Sequence, residues 1–151
     1  MNEFAAQNDR QADATLLARG VCRLLRDLGY TPLTEFKLTS RRRVDVMGLD
    51  KGGRFVIVEI KSSVADFRAD AKWPEYADFG DLFYFAVARD FPVEILPADQ
   101  GLMVADGFGA AISRPATELP MNGTRRRAQI LRFAAAAGDR LHRLLDPGIQ
   151  P

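Results

Sequence analysis

The stretch Arg54-Phe55-Val56-Ile57-Val58-Glu59-Ile60-Lys61 is almost continuously apolar, and largely β-branched, up to its two closing charges. That pattern predicts a central strand buried on both faces. Side chains alternate along a strand, so Phe55, Ile57, Glu59 and Lys61 share one face, and Val56, Val58 and Ile60 the other. Glu59 and Lys61 are therefore neighbours at the end of an otherwise apolar strand. A carboxylate so near a core is costly unless it is paired or binds a metal.

Upstream, Asp50-Lys51-Gly52-Gly53 is a hairpin-type turn signal, and it predicts a preceding strand over 42–49. Asp45 lies in that strand, within Arg43-Val44-Asp45-Val46-Met47. The hairpin brings Asp45 across from the 57–59 region, with the register open by about one residue. In the register that puts Asp45 and Glu59 on one side, two carboxylates and a lysine converge. Hard oxygen ligands suit Mg²⁺ or Mn²⁺, which activates water and neutralises phosphate charge. Lys61 then orients the attacking water or stabilises developing negative charge. The alternative is a salt-bridged strand end. The acid-x-Lys triplet is a weak signal by itself, because three of the four lysines close one, at 35–37, 59–61 and 70–72. Asp70-Ala71-Lys72 falls in a predicted helix, where i and i+2 do not face each other. Glu35-Phe36-Lys37 has no acid on a preceding strand.

Around this centre, helical spacing of Leu17, Val21, Leu24 and Leu28 predicts a helix over 13–28, capped by Asp13 and ended by Gly29. A strand is expected over 33–38, a helix over 64–72 and a strand over 82–88. Pro74 should end or kink the second helix or start a further turn. A hairpin over 101–105 and 110–114 follows. The last helix, over 124–145, carries the stripe Ile130, Phe133, Ala137, Leu141 and Leu144. The order predicts an α/β fold, a mixed sheet flanked by helices. Residues 1–12 read as a frayed polar start, and 13–146 as a single domain.

Composition excludes several classes. The chain has 151 residues, 47% hydrophobic and 27% charged, with no apolar run long enough for a membrane span. Its start does not read as a signal peptide. The lone Cys22 excludes an internal disulfide and a multi-cysteine zinc site, suits a reducing cytoplasm, and reads as a small core residue. Net charge is +1, but 45–106 carries twelve acids and six bases while the remainder carries fifteen bases and eight acids. Basic flanks around an acidic centre suit a phosphate-binding surface around a metal site, although exposed arginines also simply solubilise helices. Arg41, Arg42 and Arg43 form a basic turn that either grips phosphates or is solvated. Trp73 is a half-buried core residue or a base-stacking one. Asp66 and Asp70 cap or solvate the second helix. Arg125-Arg126-Arg127 opposes the dipole of the last helix, which points away from helix stability and toward DNA or an acidic partner. His142 reads as structural or exposed.

Asp45, followed at a distance by Glu59-Ile60-Lys61, resembles the PD-(D/E)xK nuclease superfamily in its restriction-endonuclease-like and Holliday-resolvase-like branch. More narrowly, the chain resembles the MmcB-like family of bacterial DNA-repair proteins. The carrying residues are Arg42-Arg43-Val44-Asp45, Val58-Glu59-Ile60-Lys61-Ser62-Ser63, Asp66-Phe67, Asp70 and Lys72-Trp73-Pro74-Glu75-Tyr76. Asp81, Phe83-Tyr84-Phe85-Ala86-Val87, Gly101-Leu102 and Ala105-Asp106 continue it. The resemblance implies a restriction-endonuclease-like sheet and a cytoplasmic, nucleoid-associated role in DNA repair. It implies metal ligands at Asp45, Glu59 and the Ile60 carbonyl, with Lys61 catalytic. DNA contacts are expected from Arg41, Arg42, Arg43, Ser63, Lys72 and Trp73. Other repair proteins are further possible partners, and the oligomeric state is open. Resolvase-like members often add a helix glutamate; here Leu17 stands near that place, and Glu35 is the candidate substitute. The expected activity is Mg²⁺- or Mn²⁺-dependent hydrolysis of damaged or branched DNA. The alternatives are a non-catalytic DNA-binding module or a repair adaptor on the same fold.

Overall fold

The computed structural model describes residues 2–148, apart from the side chains of Gln11 and Ala12. In chain order, the elements are α1 (Glu3–Asp27), β1 (Tyr30–Lys37), β2 (Arg43–Asp50), β3 (Phe55–Lys61), α2 (Val64–Ala69), a 3-10 helix (Trp73–Phe79), β4 (Leu82–Val87), a short 3-10 turn (Val93–Ile95), β5 (Gly101–Ala105), β6 (Ala110–Arg114) and α3 (Gly123–Leu145). The six strands form one mixed sheet in sequence order. β1, β2 and β3 pair antiparallel, β3, β4 and β5 parallel, and β6 returns antiparallel to β5. This is the expected mixed sheet with helices on its faces, in the order helix, three strands, helix, strand.

Every residue of β3 is buried, as its continuous apolar run requires. On one face, Leu17, Val21 and Leu25 of α1 pack over Val56, Val58 and Ile60. On the other, Phe55, Ile57, Phe85 and Val87 meet Phe36, Tyr76 and Phe133 of α3. The hairpin at 50–53 is closed by Asp50, whose Oδ1 accepts from the Gly52 and Arg54 amides, each at 2.9 Å. Gly53 takes φ of +92°, where a side chain would be strained.

Several elements depart from expectation for identifiable reasons. α1 begins at Glu3, not near Asp13. Asn2 caps it, and Ala5 and Ala6 favour helix with no Gly or Pro to interrupt it before Gly20. β1 begins at Tyr30 and includes Pro32, which an edge strand tolerates because its outer side needs no ladder donor. α2 stops at Ala69, short of Lys72, and Pro74 sits in the first turn of the 3-10 helix that Trp73 begins. The α3 stripe is only half used: Phe133 is buried, but Leu141 and Leu144 are 57% and 81% exposed. Arg140 still reaches the Glu35 carbonyl of edge strand β1 at 3.1 Å, and the leucines beyond it lie in solvent.

Gly20 lets the β5–β6 turn rest directly on α1. A Cβ there would overlap the carbonyl oxygens of Asp106 and Gly109. Gly20→Ala gains about 1 kcal/mol of helix propensity, but it collides with backbone that cannot rotate away. We expect a net loss of about 2 kcal/mol, read as a lower urea midpoint; an unchanged midpoint would contradict this packing.

Candidate active site

The site grows from the point where β2 and β3 part. The pairing Val46↔Val58, extended by one step, sets Asp45 beside Glu59 and resolves the open register. The ladder stops there, and the two carboxylates take over its hydrogen bonds. The Asp45 amide donates to Glu59 Oε1 at 2.9 Å, and the Ile60 amide donates to Asp45 Oδ2 at 2.8 Å. Each carboxylate thus clasps the other strand with one oxygen. Asp45 Oδ1 and Glu59 Oε2 accept no hydrogen bond from the described residues.

Glu59 is 5% exposed. Burial, and then the negative charge of Asp45, push its carboxyl up to about 8, against the pull of the Asp45 amide and Lys61. Burial raises Asp45 as well. A half-buried acid that raises a buried one beside it is a costly arrangement for a strand end and one that a divalent cation could relieve. Two carboxylate oxygens and the Ile60 carbonyl are the hard donors that could hold Mg²⁺ or Mn²⁺, which keep several waters. Among the described residues, no three carboxylate, histidine or cysteine side chains gather as a ready-made metal cage.

Lys61, 3% exposed, is tied by its Nζ to Asp70 Oδ2 at 2.5 Å. Sequence reasoning set Asp70 aside by placing it inside a helix. α2 ends one residue earlier, so Asp70 turns back toward β3 while its Oδ1 accepts from the Lys72 amide at 2.7 Å. Burial tends to raise the Asp70 carboxyl, but Lys61 and the Lys72 and Trp73 amides outweigh this and hold it below the usual range. Tyr76 is a second residue the sequence did not single out for the site. It is buried, and its phenol is pushed up to about 12, first by burial and then by Glu59, Asp70 and Asp45. The signal for both lay in the run from Asp70 to Tyr76, without a spacing that marked either.

The expected DNA contacts separate into two groups. Arg41 and Arg43 are exposed on and beside the β1–β2 turn, and Lys72 is exposed after α2. Arg42 instead reaches Glu75 at 2.9 Å, a surface pair of small energy that ties the turn to the 3-10 helix. The Ser63 hydroxyl accepts from the Asp66 amide at 3.0 Å and caps α2, and Asp66 in turn accepts from the Ser62 amide. The Trp73 indole packs against Phe83 and Phe85, 5.7 and 5.1 Å between centroids. Glu35, with φ of +50°, is exposed, and its carboxylate has no partner among the described residues. Leu17 is buried on the sheet face opposite Glu59 and Lys61, in the α1 core. Arg126 corrects the reading of its arginine triplet: it turns inward to Asp81 at 2.6 and 2.8 Å.

The fold and the strand-end acids define an α/β protein of the kind expected for this motif. The comparisons name its family: residues 2–148 match the MmcB-like family, described as DNA repair protein MmcB-like, and the chain belongs to it. It is similar to the SPO1766 protein of unknown function from Silicibacter pomeroyi, with 45% identity and a TM-score of 0.86 over 89% of this chain and 92% of that one. A repair endonuclease from Pyrococcus abyssi shares 23% identity over 51% of this chain and 37% of that one, and its TM-score of 0.31 is too low to carry an argument. Among the described residues, no helix is long and apolar enough to cross a membrane.

Proposed function

We propose that the chain is a divalent-metal-dependent nuclease that hydrolyses phosphodiester bonds in damaged or branched DNA. The observation that carries this reading is the pairing of Asp45 with the buried Glu59, with one oxygen on each acid left over and Lys61 on the same face as Glu59. Mg²⁺ or Mn²⁺ held by these oxygens and the Ile60 carbonyl would supply Lewis-acid polarisation of the phosphate and a more acidic water. Asp45 and Glu59 are fixed for that task, because each is locked by an amide of the opposite strand. Lys61 stands beside them as the cation for developing negative charge. Asp70 positions its ammonium. Arg41, Arg43 and Lys72 are the exposed cations for the flanking phosphates.

The test is cleavage of branched, flapped and single-stranded DNAs with Mg²⁺ or Mn²⁺. Asp45→Asn and Lys61→Ala should each lower the rate by about 100-fold or more. Asp70→Asn, which loosens Lys61 without touching the carboxylate pair, should lower it about 10- to 100-fold, with Asp70→Glu recovering part of the loss. Cleavage that survives both Asp45→Asn and Lys61→Ala would sink the nuclease reading. The two-carboxylate inventory favours one rival, a DNA-binding module or adaptor without catalysis. Calorimetry separates the two: no heat with Mn²⁺, together with DNA affinity indifferent to metal, supports the binder.

A further inference from the structure

Tyr76 lies in the middle of the 3-10 helix Trp73–Phe79, which packs against β3. It is 4% exposed, and it belongs to the core cluster with Ile57, Phe85 and Val87, on the sheet face that carries Glu59 and Lys61. A buried phenol ordinarily finds a hydrogen-bond partner, as the Tyr30 hydroxyl does in accepting from Arg54 at 3.2 Å. The Tyr76 hydroxyl has no such partner among the described residues. Every sealed side-chain polar atom among them is partnered, so the small part of Tyr76 that stays open includes its hydroxyl. Tyr84, on the α1 face of the sheet, leaves its hydroxyl open in the same way. What sets Tyr76 apart is the company its hydroxyl keeps.

Tyr76 helps to line a hollow of about 300 Å³ together with Asp81 and Asp99. The charges that bear most on its hydroxyl are not those two but Glu59, Asp70, Asp45 and Arg42. The oxygen therefore faces the strand end where the acids gather. Two ion pairs hold the ring there. Arg42 ties Glu75, the residue before Tyr76, to the entrance of β2 at 2.9 Å. Asp70 ties the segment ahead of the 3-10 helix to Lys61, and takes the Lys72 amide with its other oxygen. The groups around this strand end are mostly acceptors: Asp45 and Glu59 each have an oxygen left over, and Lys61 already gives to Asp70. The phenol is pushed up to about 12 by burial and then by Glu59, Asp70 and Asp45, so at neutral pH it is a donor and not a base. A phosphodiester brought to this point carries non-bridging oxygens that need donors.

We propose that the Tyr76 hydroxyl donates a hydrogen bond to a non-bridging oxygen of the scissile phosphate. The proposal rests on the nuclease reading above and deepens it with a named contact to substrate. No proton changes hands. The hydroxyl keeps its own, and its bond strengthens as negative charge builds on the phosphoryl oxygens.

The experiment compares the full-length wild-type protein with Tyr76→Phe on branched DNA in Mn²⁺. Phenylalanine keeps the ring and loses only an oxygen that holds nothing in the free protein, so both proteins should melt at the same temperature. Calorimetry with Mn²⁺ alone should give the same heat for both, because the phenol is not a cation ligand. The variant should lose about 10- to 100-fold in kcat, with KM within about twofold of wild type. Substrates with sulfur in place of one or the other non-bridging oxygen then locate the contact, since sulfur accepts hydrogen bonds poorly. The penalty of Tyr76→Phe should persist with one diastereomer and fall to about one with the other. Equal kcat in the two proteins overturns the contact and leaves the nuclease reading standing. So does an equal penalty on the oxygen substrate and both sulfur ones, a lowered melt or a lost Mn²⁺ heat, each of which makes the hydroxyl structural. No cleavage of any branched, flapped or single-stranded DNA by the wild-type protein overturns the nuclease reading and the contact with it.

Discussion

Asp81→Ala is expected to cost about 3–5 kcal/mol of stability, the range for removing one partner of a buried, hydrogen-bonded ion pair. The side chain of Asp81 is 1% exposed. Its Oδ2 accepts from the Phe55 amide at 2.7 Å and its Oδ1 from the Met121 amide at 3.0 Å. Arg126 adds a two-pronged contact at 2.6 and 2.8 Å and reaches on to the Gly53 carbonyl at 2.7 Å. One carboxylate thus fastens the start of β3, the irregular segment leading to α3 and α3 itself. No buried side-chain polar atom among the described residues lacks a partner. Alanine would leave two amides and a guanidinium without their acceptor, each an uncompensated loss. Burial works to raise the Asp81 carboxyl, but Arg126 and the two amides overcome it and hold it below the usual range. Its contribution is therefore present at neutral pH and lost only as acidity reaches that lowered value. Arg126→Ala should cost less, because the arginine is 24% exposed and Asp81 keeps both amides. Urea titrations at pH 7 of the two single variants and the double one measure this; an Asp81→Ala loss below about 1 kcal/mol would contradict the network.

The parts of this molecule that were legible in its sequence are those whose causes are local. The period-two face of Glu59 and Lys61 follows from strand geometry alone, and the Asp50–Arg54 turn narrowed the Asp45 register to one step. The last step is the Val46↔Val58 pairing, and the clasp of each carboxylate on the opposite amide beyond it is something no pattern encodes. Asp70 was misplaced because the helical pattern carries on to Lys72, whereas the pull of buried Lys61 ends α2 at Ala69. The arginine triplet at 125–127 looks uniform in sequence. Only the fold shows that Arg126 meets Asp81, that Arg125 lies over the Phe79 ring at 4.8 Å, and that Arg127 faces solvent. The stripe on α3 likewise reads its period correctly, but it carries no information about where the sheet beneath it stops. The exposed turn of α1 before Leu17 is helix by propensity and capping rather than by burial, so an apolar-stripe reading passes it over.

Glu59→Gln should make the metal-free protein more stable at pH 8 while removing its response to divalent cations. The sign follows from the two states of the chain. In the unfolded chain Glu59 loses its proton near the ordinary 4.5, and in the fold near about 8. Between these values the folded protein binds more protons than the unfolded one, so stability falls as pH rises. The contribution of a neutral Glu59 is complete below about 4.5 and is gone above about 8. At about 1.36 kcal/mol per pH unit this window sets a ceiling of roughly 5 kcal/mol. Asp45, raised in the same direction by burial, adds to the slope. Glutamine keeps the size and an oxygen for the Asp45 amide but never ionises, so its stability should stay level where the wild type declines. On the proposed reading Mg²⁺ or Mn²⁺ acts oppositely: a cation that binds the ionised pair should, at saturation, lift the wild-type curve most at pH 8 and leave the glutamine variant in place. Chemical denaturation of both proteins in EDTA from pH 4.5 to 8.5, repeated with Mn²⁺, reads each term. Parallel curves in EDTA would mean that Glu59 is not strained by its neighbours, and the argument for a cation at Asp45 and Glu59 would lose its physical basis. A diverging pair of curves with no Mn²⁺ response would leave the strain real and assign the site to the binding module. Two strands that bring Asp45 against the buried Glu59, at a cost to stability, make the response to divalent cations the measurement that decides between the two readings.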